Sequence, residues 1–235
     1  MNEATRVAGR VVEIWRYPVA GLMGERLEHA RLDVTGLEGD RAVGLWDVAA
    51  GRFLNAEECP SLRRGQARTD GDAVVVRLPE GDEVVIGAPG GEAALSVWLD
   101  REVQVRSDET GIAGLATARI RIVSLSSIAA LARHHPTGQW DARRFRPHLL
   151  VVLPGVDFGE DDWVGSELGI GGATLAVDEA TAGSDVWGTA QVGLAADPGI
   201  LTTIASAHDG TLGVAGSVVR VGVIQLGDPA DPVSR

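Results

Sequence analysis

The sequence predicts a mainly β protein with a few short helices. In the first third, short apolar runs alternate with Gly- and Asp-containing turns at spacings of about eight to twelve residues, which is typical of a barrel or sandwich. The apolar fraction of 45% and the charged fraction of 23% are those of an ordinary globular protein. The few helical patterns are short and begin at cap residues.

The first third contains five predicted strands. They are RVVEIWRYPV (10–19), RLEHARLDV (26–34), RAVGLWDV (41–48), AVVVRLP (73–79) and EVVIGAP (83–89). The segments DVAAG (47–51) and PEGDE (79–83) are predicted hairpin connections, because Gly and Asp tolerate the backbone angles of tight turns.

The middle of the chain is predicted to pass from a strand into a short helix. The strand is RIRIVSL (119–125), and the helix SSIAALARHH (126–135) has Ser126 or Ser127 as its N-cap and ends before Pro136. A buried strand, HLLVVLP (148–154), follows.

The last part is predicted to contain two further strand regions and one helix. ELGIGGATLAV (167–177) reads as a strand pair that turns at Gly171 and Gly172. Asp197 and Pro198 begin a short helix, and SVVRVGVIQLGD (217–228) is the final barrel strand.

Composition excludes several classes of function. All 21 basic residues are arginine, so a Schiff-base lysine and ordinary pyridoxal phosphate attachment are excluded. A net charge of −12 argues against binding to nucleic acid or an anionic membrane. The only cysteine, Cys59, rules out an intrachain disulfide and a thiolate cluster. Small molecules are therefore the expected partners.

The sequence also suggests where the protein resides. No apolar run reaches the roughly 20 residues that span a bilayer, and MNEATRVAGR lacks the apolar core of a signal peptide. We expect a cytoplasmic protein.

Three arginines precede the buried strand at 148–154. Arg143, Arg144 and Arg146 stand out in an acidic chain, and guanidinium groups match phosphate or carboxylate ligands. The alternative is that they pair with the acids of GEDDW (159–163). We expect one arginine to serve a ligand and the others to serve the loop.

Motifs along nearly the whole chain resemble the MOSC family, the domains named after the C-terminal part of molybdenum cofactor sulfurase. The matching stretches are 14–47, 51–62, RRFRPHLLV (143–151), 158–175 and 213–228. The resemblance implies a smaller N-terminal β-barrel-like domain over residues 1–105 and a MOSC β-barrel over residues 106–235. Members of the family bind the molybdenum cofactor or carry a cysteine persulfide, and some reduce N-hydroxylated compounds.

The positions that the resemblance assigns to the cofactor are changed in this chain. Where the family has YPVKS, this chain has YPVAG, so Ala20 and Gly21 replace the lysine and serine. After the GRFL strand, where the family usually has a threonine and an arginine, this chain has Asn55 and Glu57 nearby. His148 replaces the asparagine of RFRPN, while Arg144 and Arg146 are kept. In the loop that bears the reactive cysteine, Gly183 and Ser184 replace arginine and cysteine.

These replacements predict that the molybdenum site is lost. Molybdenum and sulfane sulfur need a soft thiolate, and the serine hydroxyl is a poor substitute. We therefore expect no metal and no cofactor, with the molybdenum cofactor as the alternative.

The favoured hypothesis is a non-redox enzyme that uses the emptied pocket for a small, possibly anionic, metabolite. Proton transfer there would drive elimination, isomerisation or ring closure. The alternatives are a molybdenum-cofactor-binding or sulfur-carrier protein related to the reductases, and a non-catalytic ligand-binding protein.

The predicted site contains nine residues, and His148 is the preferred base because its ordinary pKa lies near neutrality. The catalytic candidates are His148, Glu57, Asp185 and Ser184, and the substrate-binding candidates are Arg144, Arg146, Asn55, Trp187 and Tyr17. Strand alternation would place Arg144, Arg146 and His148 on one face. The resemblance implies that His148 and Arg146 lie near Asp185 and Trp187 around one concave site.

Overall fold

The computed structural model describes residues 8–107, 119–155 and 157–233. The strands are β1 (Gly9–Arg16), β2 (Glu25–Leu27), β3 (His29–Asp33), β4 (Gly36–Leu37), β5 (Gly44–Asp47), β6 (Arg52–Phe53), β7 (Gln66–Asp70), β8 (Ala73–Arg77), β9 (Glu83–Val85), β10 (Val103–Arg106), β11 (Arg119–Ser124), β12 (Leu149–Val152), β13 (Ser166–Ile170), β14 (Ala173–Ala182), β15 (Thr211–Arg220), β16 (Gly222–Gln225) and β17 (Pro229–Pro232). The mainly β fold class is confirmed.

Seven strands form a closed barrel. Their order is β12, β11, β15, β14, β13, β17 and β1, and the pairing of β1 with β12 closes the ring. All pairs are antiparallel except β11 with β12. Inward side chains such as Ile14, Ile122, Leu149 and Val214 fill the interior. Because β1 pairs with β12, the barrel draws strands from both predicted domains, whose boundary stays a prediction.

The segment from β5 to β10 packs around a second apolar core. It carries two three-stranded sheets, β10–β5–β6 and β7–β8–β9, and the α-helix α1 (Gly91–Leu99). Leu45, Leu62, Val76 and Leu95 are among the buried residues of this core. Cys59 is buried in the same core.

Two more α-helices cover the barrel. They are α2 (Leu125–Ala132) and α3 (Gly199–Ala207), and their buried faces share a third apolar cluster with Phe145 and Trp187. The predicted N-cap of α2 is wrong by two or three residues. Ser124 is the cap, since its Oγ accepts the Ser127 N–H at 3.0 Å. Asp197 starts α3 by accepting the Gly199 N–H at 3.0 Å.

The arginine-rich segment is not the strand entry that the sequence predicted. Residues Ala142–Phe145 form a 3₁₀ helix capped by Asp141, whose Oδ1 accepts the Arg143 N–H at 2.9 Å. Arg146 ends this helix in the left-handed region, at φ 51°. The strand begins only at Leu149, so strand alternation does not relate the side chains at 144, 146 and 148.

The acidic segment at 159–163 is a 3₁₀ helix, Gly159–Trp163, that packs against the start of α2. Its fully buried Glu160 accepts the Ser124 N–H at 3.1 Å and the Ser127 hydroxyl at 2.7 Å. These bonds hold the barrel, α2 and the 3₁₀ helix together. Among the described residues, no helix is long and apolar enough to cross a membrane.

Candidate functional site

Four arginine side chains interact electrostatically with the buried Tyr17. They are Arg41, Arg63, Arg121 and Arg146, and we call them the arginine cluster. They come from four separate parts of the chain. Like charges lower each other's pKa in such a group, and burial increases the effect.

Arg146 is the member of the cluster that stacks on the ring of Tyr17. Its guanidinium carbon lies 4.0 Å from the centroid of the Tyr17 ring, in cation–π geometry. One Nη1–H is donated to the carbonyl of Leu22. The residue is 6% exposed. Burial, together with Arg41 and Arg121, lowers the pKa of Arg146 to about 10.

Arg63 belongs to the 3₁₀ helix Pro60–Arg64 and is only 5% exposed. At the guanidinium tip, Nη1 donates to the Met23 sulfur at 4.0 Å, and sulfur is a weak acceptor. Its Nε is buried and has no hydrogen-bond partner among the described residues. Burial lowers the pKa of Arg63, and Arg146, Arg121 and Arg41 lower it further.

Arg121 and Arg41 complete the cluster. Arg121 is half-buried on β11, where burial and the charge of Arg41 lower its pKa. Arg41 lies beside Asp40, with Nε 3.3 Å from Oδ2. Because guanidinium groups stay protonated in proteins, the lowered pKa values of Arg63, Arg121 and Arg146 reflect an energetic cost rather than loss of charge.

Asp40 is the buried carboxylate nearest the cluster, and it is already bound. Its Oδ1 accepts the Tyr17 N–H at 2.8 Å, and its Oδ2 lies 3.1 Å from Nε2 of His148. Burial raises the pKa of Asp40, but the opposing effects of His148, Arg41 and the Tyr17 N–H together lower it to about 2. Two carboxylates act on members of the cluster: the charge of Asp40 on Arg41 and Arg146, and the charge of Glu179 on Arg121.

His148 is held as a neutral ring. Its Nδ1 accepts the backbone N–H of Arg121 at 3.0 Å, so the ring proton must lie on Nε2 and point to Asp40. Burial lowers the pKa of His148, with Arg41 and Arg121 acting in the same direction. Both ring nitrogens are thus engaged inside the protein at 1% exposure. This arrangement fits a positioning residue for Asp40; the predicted role as general base stays a prediction.

Three other predicted residues lie together at the surface. The Ser184 hydroxyl donates to Oε1 of Glu57 at 3.3 Å, and the Asn55 side chain accepts the Glu57 N–H at 3.0 Å. Glu57 is exposed, as is Asp185, which begins the 3₁₀ helix Asp185–Gly188. The structure thus joins the loop of Ser184 to the loop of Glu57, which leads into the helix carrying Arg63.

Arg144 and Trp187 are both buried, and Trp187 belongs to the third apolar cluster. Arg144 donates to the carbonyls of Gln139, Thr189 and Ala195 at 2.8, 3.2 and 2.7 Å. Trp187 packs edge-on against Phe145, with ring centroids 5.2 Å apart. Carbonyl oxygens satisfy Arg144, so it has a structural role in the described contacts.

The predicted grouping of the arginines is corrected by these contacts. Arg143 pairs with Asp141 at 2.7 Å, Arg144 binds carbonyls, and Arg146 contacts Tyr17 and Leu22. The predicted pairing with the acids of 159–163 is not how these three side chains are used. Of the predicted substrate-binding residues, Tyr17 and Arg146 do come together.

Sequence reasoning missed Asp40, Arg41, Arg63 and Arg121. Arg121 was visible as a cation in the alternating run RIRIVS, and Asp40 and Arg41 stand together in EGDR. Their separation along the chain gave no sign that they meet.

We compared the chain with known protein families. Residues 8–115 match the profile of the MOSC N-terminal beta barrel domain. Residues 8–115, a little under half of the chain, therefore belong to the MOSC N-terminal beta barrel domain family. The arginine cluster is not confined to the matched stretch, since Arg41 and Arg63 lie within 8–115 whereas Arg121 and Arg146 follow it. No curated protein matches the chain.

Several solved structures are similar to this chain at low identity. A hypothetical protein is 13% identical with a TM-score of 0.49, covering 97% of this chain and 69% of its own. The YUAD protein from Bacillus subtilis is 12% identical with a TM-score of 0.44, covering 95% and 94%. YiiM from Geobacillus stearothermophilus is 18% identical with a TM-score of 0.39, covering 51% and 57%.

The residues of this chain fit the molybdenum cofactor poorly. Its metal needs a thiolate, yet Ser184 stands at the expected cysteine and Cys59 is buried in the second apolar core. At position 21, where the family pattern has serine, Gly21 has φ 85°, and an added Cβ would lie 2.7 Å from Cδ1 of Leu62. The described residues contain no group of three His, Cys, Asp or Glu side chains arranged for a metal.

Proposed function

We propose that this MOSC-family protein binds a small organic anion at the arginine cluster and acts on it as a cofactor-independent, non-redox enzyme. The observation that carries the proposal is the buried Arg63 guanidinium, whose Nε has no acceptor among the described residues. Leaving a buried charged donor unpaired destabilises a protein by several kcal/mol in typical cases, about 3 or more. An anionic ligand would supply the missing acceptor.

The composition of the cluster favours a planar anion such as a carboxylate, or a phosphate. Guanidinium groups bind both in two-point geometry, and burial strengthens such bonds by excluding water. Tyr17 contributes an aromatic wall, while its hydroxyl already donates to the Pro147 carbonyl at 2.8 Å. Burial raises the pKa of Tyr17, so the phenol stays protonated and neutral.

Proton transfer is the chemistry that the neighbouring groups can provide. Glu57 is a carboxylate on the loop that leads into the Arg63 helix, and Ser184 donates a hydrogen bond to it. We propose that Glu57 takes a proton from the bound anion and later returns it, while the arginines stabilise the negative charge that develops. Elimination, isomerisation and ring closure all fit this scheme.

A screen of anions tests the proposal. We expect mono- and dicarboxylates or phosphate esters to raise the melting temperature of the protein, because a ligand that binds only the native state stabilises it. The screen is read by thermal shift, and each ligand that binds is then incubated with the protein and followed by proton NMR. Binding with no turnover across the panel would favour a ligand-binding protein, and no stabilisation by any anion would overturn the proposal.

We also expect no stoichiometric molybdenum in protein made by a host with intact cofactor synthesis. Ser184→Cys alone should not restore it, because Ala20 and Gly21 still lack the lysine and serine of the family pattern. Elemental analysis of both proteins measures this. About one molybdenum per chain in either protein would contradict the expectation and support the cofactor-binding alternative.

A further inference from the structure

A second pocket, separate from the residues of the arginine cluster, lies where the loop at 191–193 meets the N-terminal segment. It has a volume of about 330 Å³ and is lined by Arg64, Gln66, Arg77, Gln191 and Val192, among others. The Val192 N–H donates to the Arg63 carbonyl at 3.0 Å, which fixes this loop against the 3₁₀ helix. None of these lining residues takes part in the proposed function.

Gln191 lines the pocket, and its side chain carries a fixed and unsatisfied acceptor. The residue is 4% exposed, and its Nε2 donates to the carbonyls of Arg144 and Val186 at 3.4 and 3.3 Å. Turning the amide over would set its oxygen against those two carbonyls, so the orientation is determined. Its Oε1 is buried and has no hydrogen-bond partner among the described residues. A buried acceptor of this kind calls for a donor that the protein does not provide.

Arg64 and Arg77 give the same pocket a positive charge. Both are exposed, and within the described ranges neither guanidinium has a hydrogen bond or an ion pair. Arg68 of the neighbouring strand, in contrast, pairs with Glu83 at 3.2 Å. Two free guanidinium groups in a strongly acidic chain are therefore available to an anion.

We propose that this pocket binds a small organic anion that also carries a hydroxyl group. The anionic end would pair with Arg64 and Arg77, and the hydroxyl would donate to Oε1 of Gln191. A hydroxycarboxylate and a hydroxylated phosphate ester both present this combination, and the pocket volume suits either. The site is independent of the arginine cluster, because no residue is shared between them.

Isothermal titration with matched ligands tests this site. Malate and succinate differ only by a hydroxyl, as glycerol 3-phosphate and propyl phosphate differ only by two. We expect the hydroxylated member of at least one pair to bind about three- to tenfold more tightly, the gain of one hydrogen bond. The pair that shows the gain identifies the carboxylate or the phosphate as the anion.

Variants assign that binding to the pocket. In Arg64→Gln/Arg77→Gln the affinity should fall at least about tenfold, whereas Arg31→Gln, which removes an exposed arginine from β3, should change it less than about twofold. Circular dichroism confirms that the variants are folded. Equal affinities within both ligand pairs, no detectable binding, or binding that is unchanged in the double variant would each overturn the proposal.

Discussion

Replacing Arg63 with methionine is expected to stabilise the ligand-free protein and to weaken anion binding at the arginine cluster. Arg63 is buried, lacks an acceptor for Nε, and is repelled by Arg146, Arg121 and Arg41. Methionine fills similar space beside Met23 without a charge. Replacing buried charges by apolar side chains stabilises proteins by about 1–4 kcal/mol in known cases. We expect a gain of about 1–2 kcal/mol in the free energy of unfolding, measured by urea denaturation.

The same substitution removes a guanidinium donor from the ligand. A charge-assisted hydrogen bond contributes about 1.5–3 kcal/mol, so the affinity for an anion found in the thermal-shift screen should fall roughly 10- to 150-fold. Arg31→Met serves as the control, because it removes the same charge from an exposed position on β3. A destabilised Arg63→Met protein that binds the anion as tightly as the unmodified chain would contradict both the unpaired charge and its proposed use.

A gain in stability with a loss of binding would have a clear physical meaning. Groups that are arranged to meet a ligand are poorly satisfied without it, so functional sites commonly lower the stability of the free protein. The arginine cluster has this character because Asp40, the nearest buried carboxylate, is already bound by Tyr17 and His148. A bound anion would complete the charge balance that the chain leaves open.

The strand pattern could be predicted from the sequence because alternation has a local cause. The run at 119–125 became β11, and the turn at Gly171 and Gly172 joins β13 to β14 as predicted. Side chains on a half-buried strand alternate between core and surface, which leaves a direct trace in the sequence. The same rule failed at 143–148 because a local capping interaction at Asp141 begins a 3₁₀ helix.

The candidate site was harder to predict because it depends on tertiary contacts. Tyr17 and Arg146 are 129 positions apart, yet a ring and a guanidinium stack at 4.0 Å. Arg63 looks like any surface arginine in PSLRRG, and only the packing of its helix against Met23 buries it. Asp141 is a helix-capping residue type, so the sequence did contain a signal for the 3₁₀ helix at Ala142–Phe145. Recognising that helix would have removed Arg144 from the predicted pocket. No local pattern marks the other members of the cluster.

His148→Ala is expected to destabilise the protein by about 2–3 kcal/mol, because it leaves Asp40 buried without the Nε2–H donor. It also removes the acceptor of the Arg121 N–H. In the double variant Asp40→Asn/His148→Ala the charge is gone, so much of this loss should be recovered. His134→Ala, an exposed histidine at the end of α2, is the control. Urea denaturation of the unmodified chain, the single variants Asp40→Asn and His148→Ala, and the double variant measures the coupling between Asp40 and His148.

The pH dependence of stability provides a second measurement on the same pair. The pKa of His148 is lowered in the folded protein, so the unfolded chain binds more protons as the pH falls through the ordinary histidine value near 6.5. The contribution of His148 is complete above that value and is lost on acidification, and it should be absent from His148→Ala. Between pH 7 and pH 5, the melting temperature of the unmodified chain should therefore fall more steeply than that of His148→Ala. If His148→Ala instead keeps its stability and loses turnover by roughly two to four orders of magnitude, the result would support His148 as the general base predicted from the sequence.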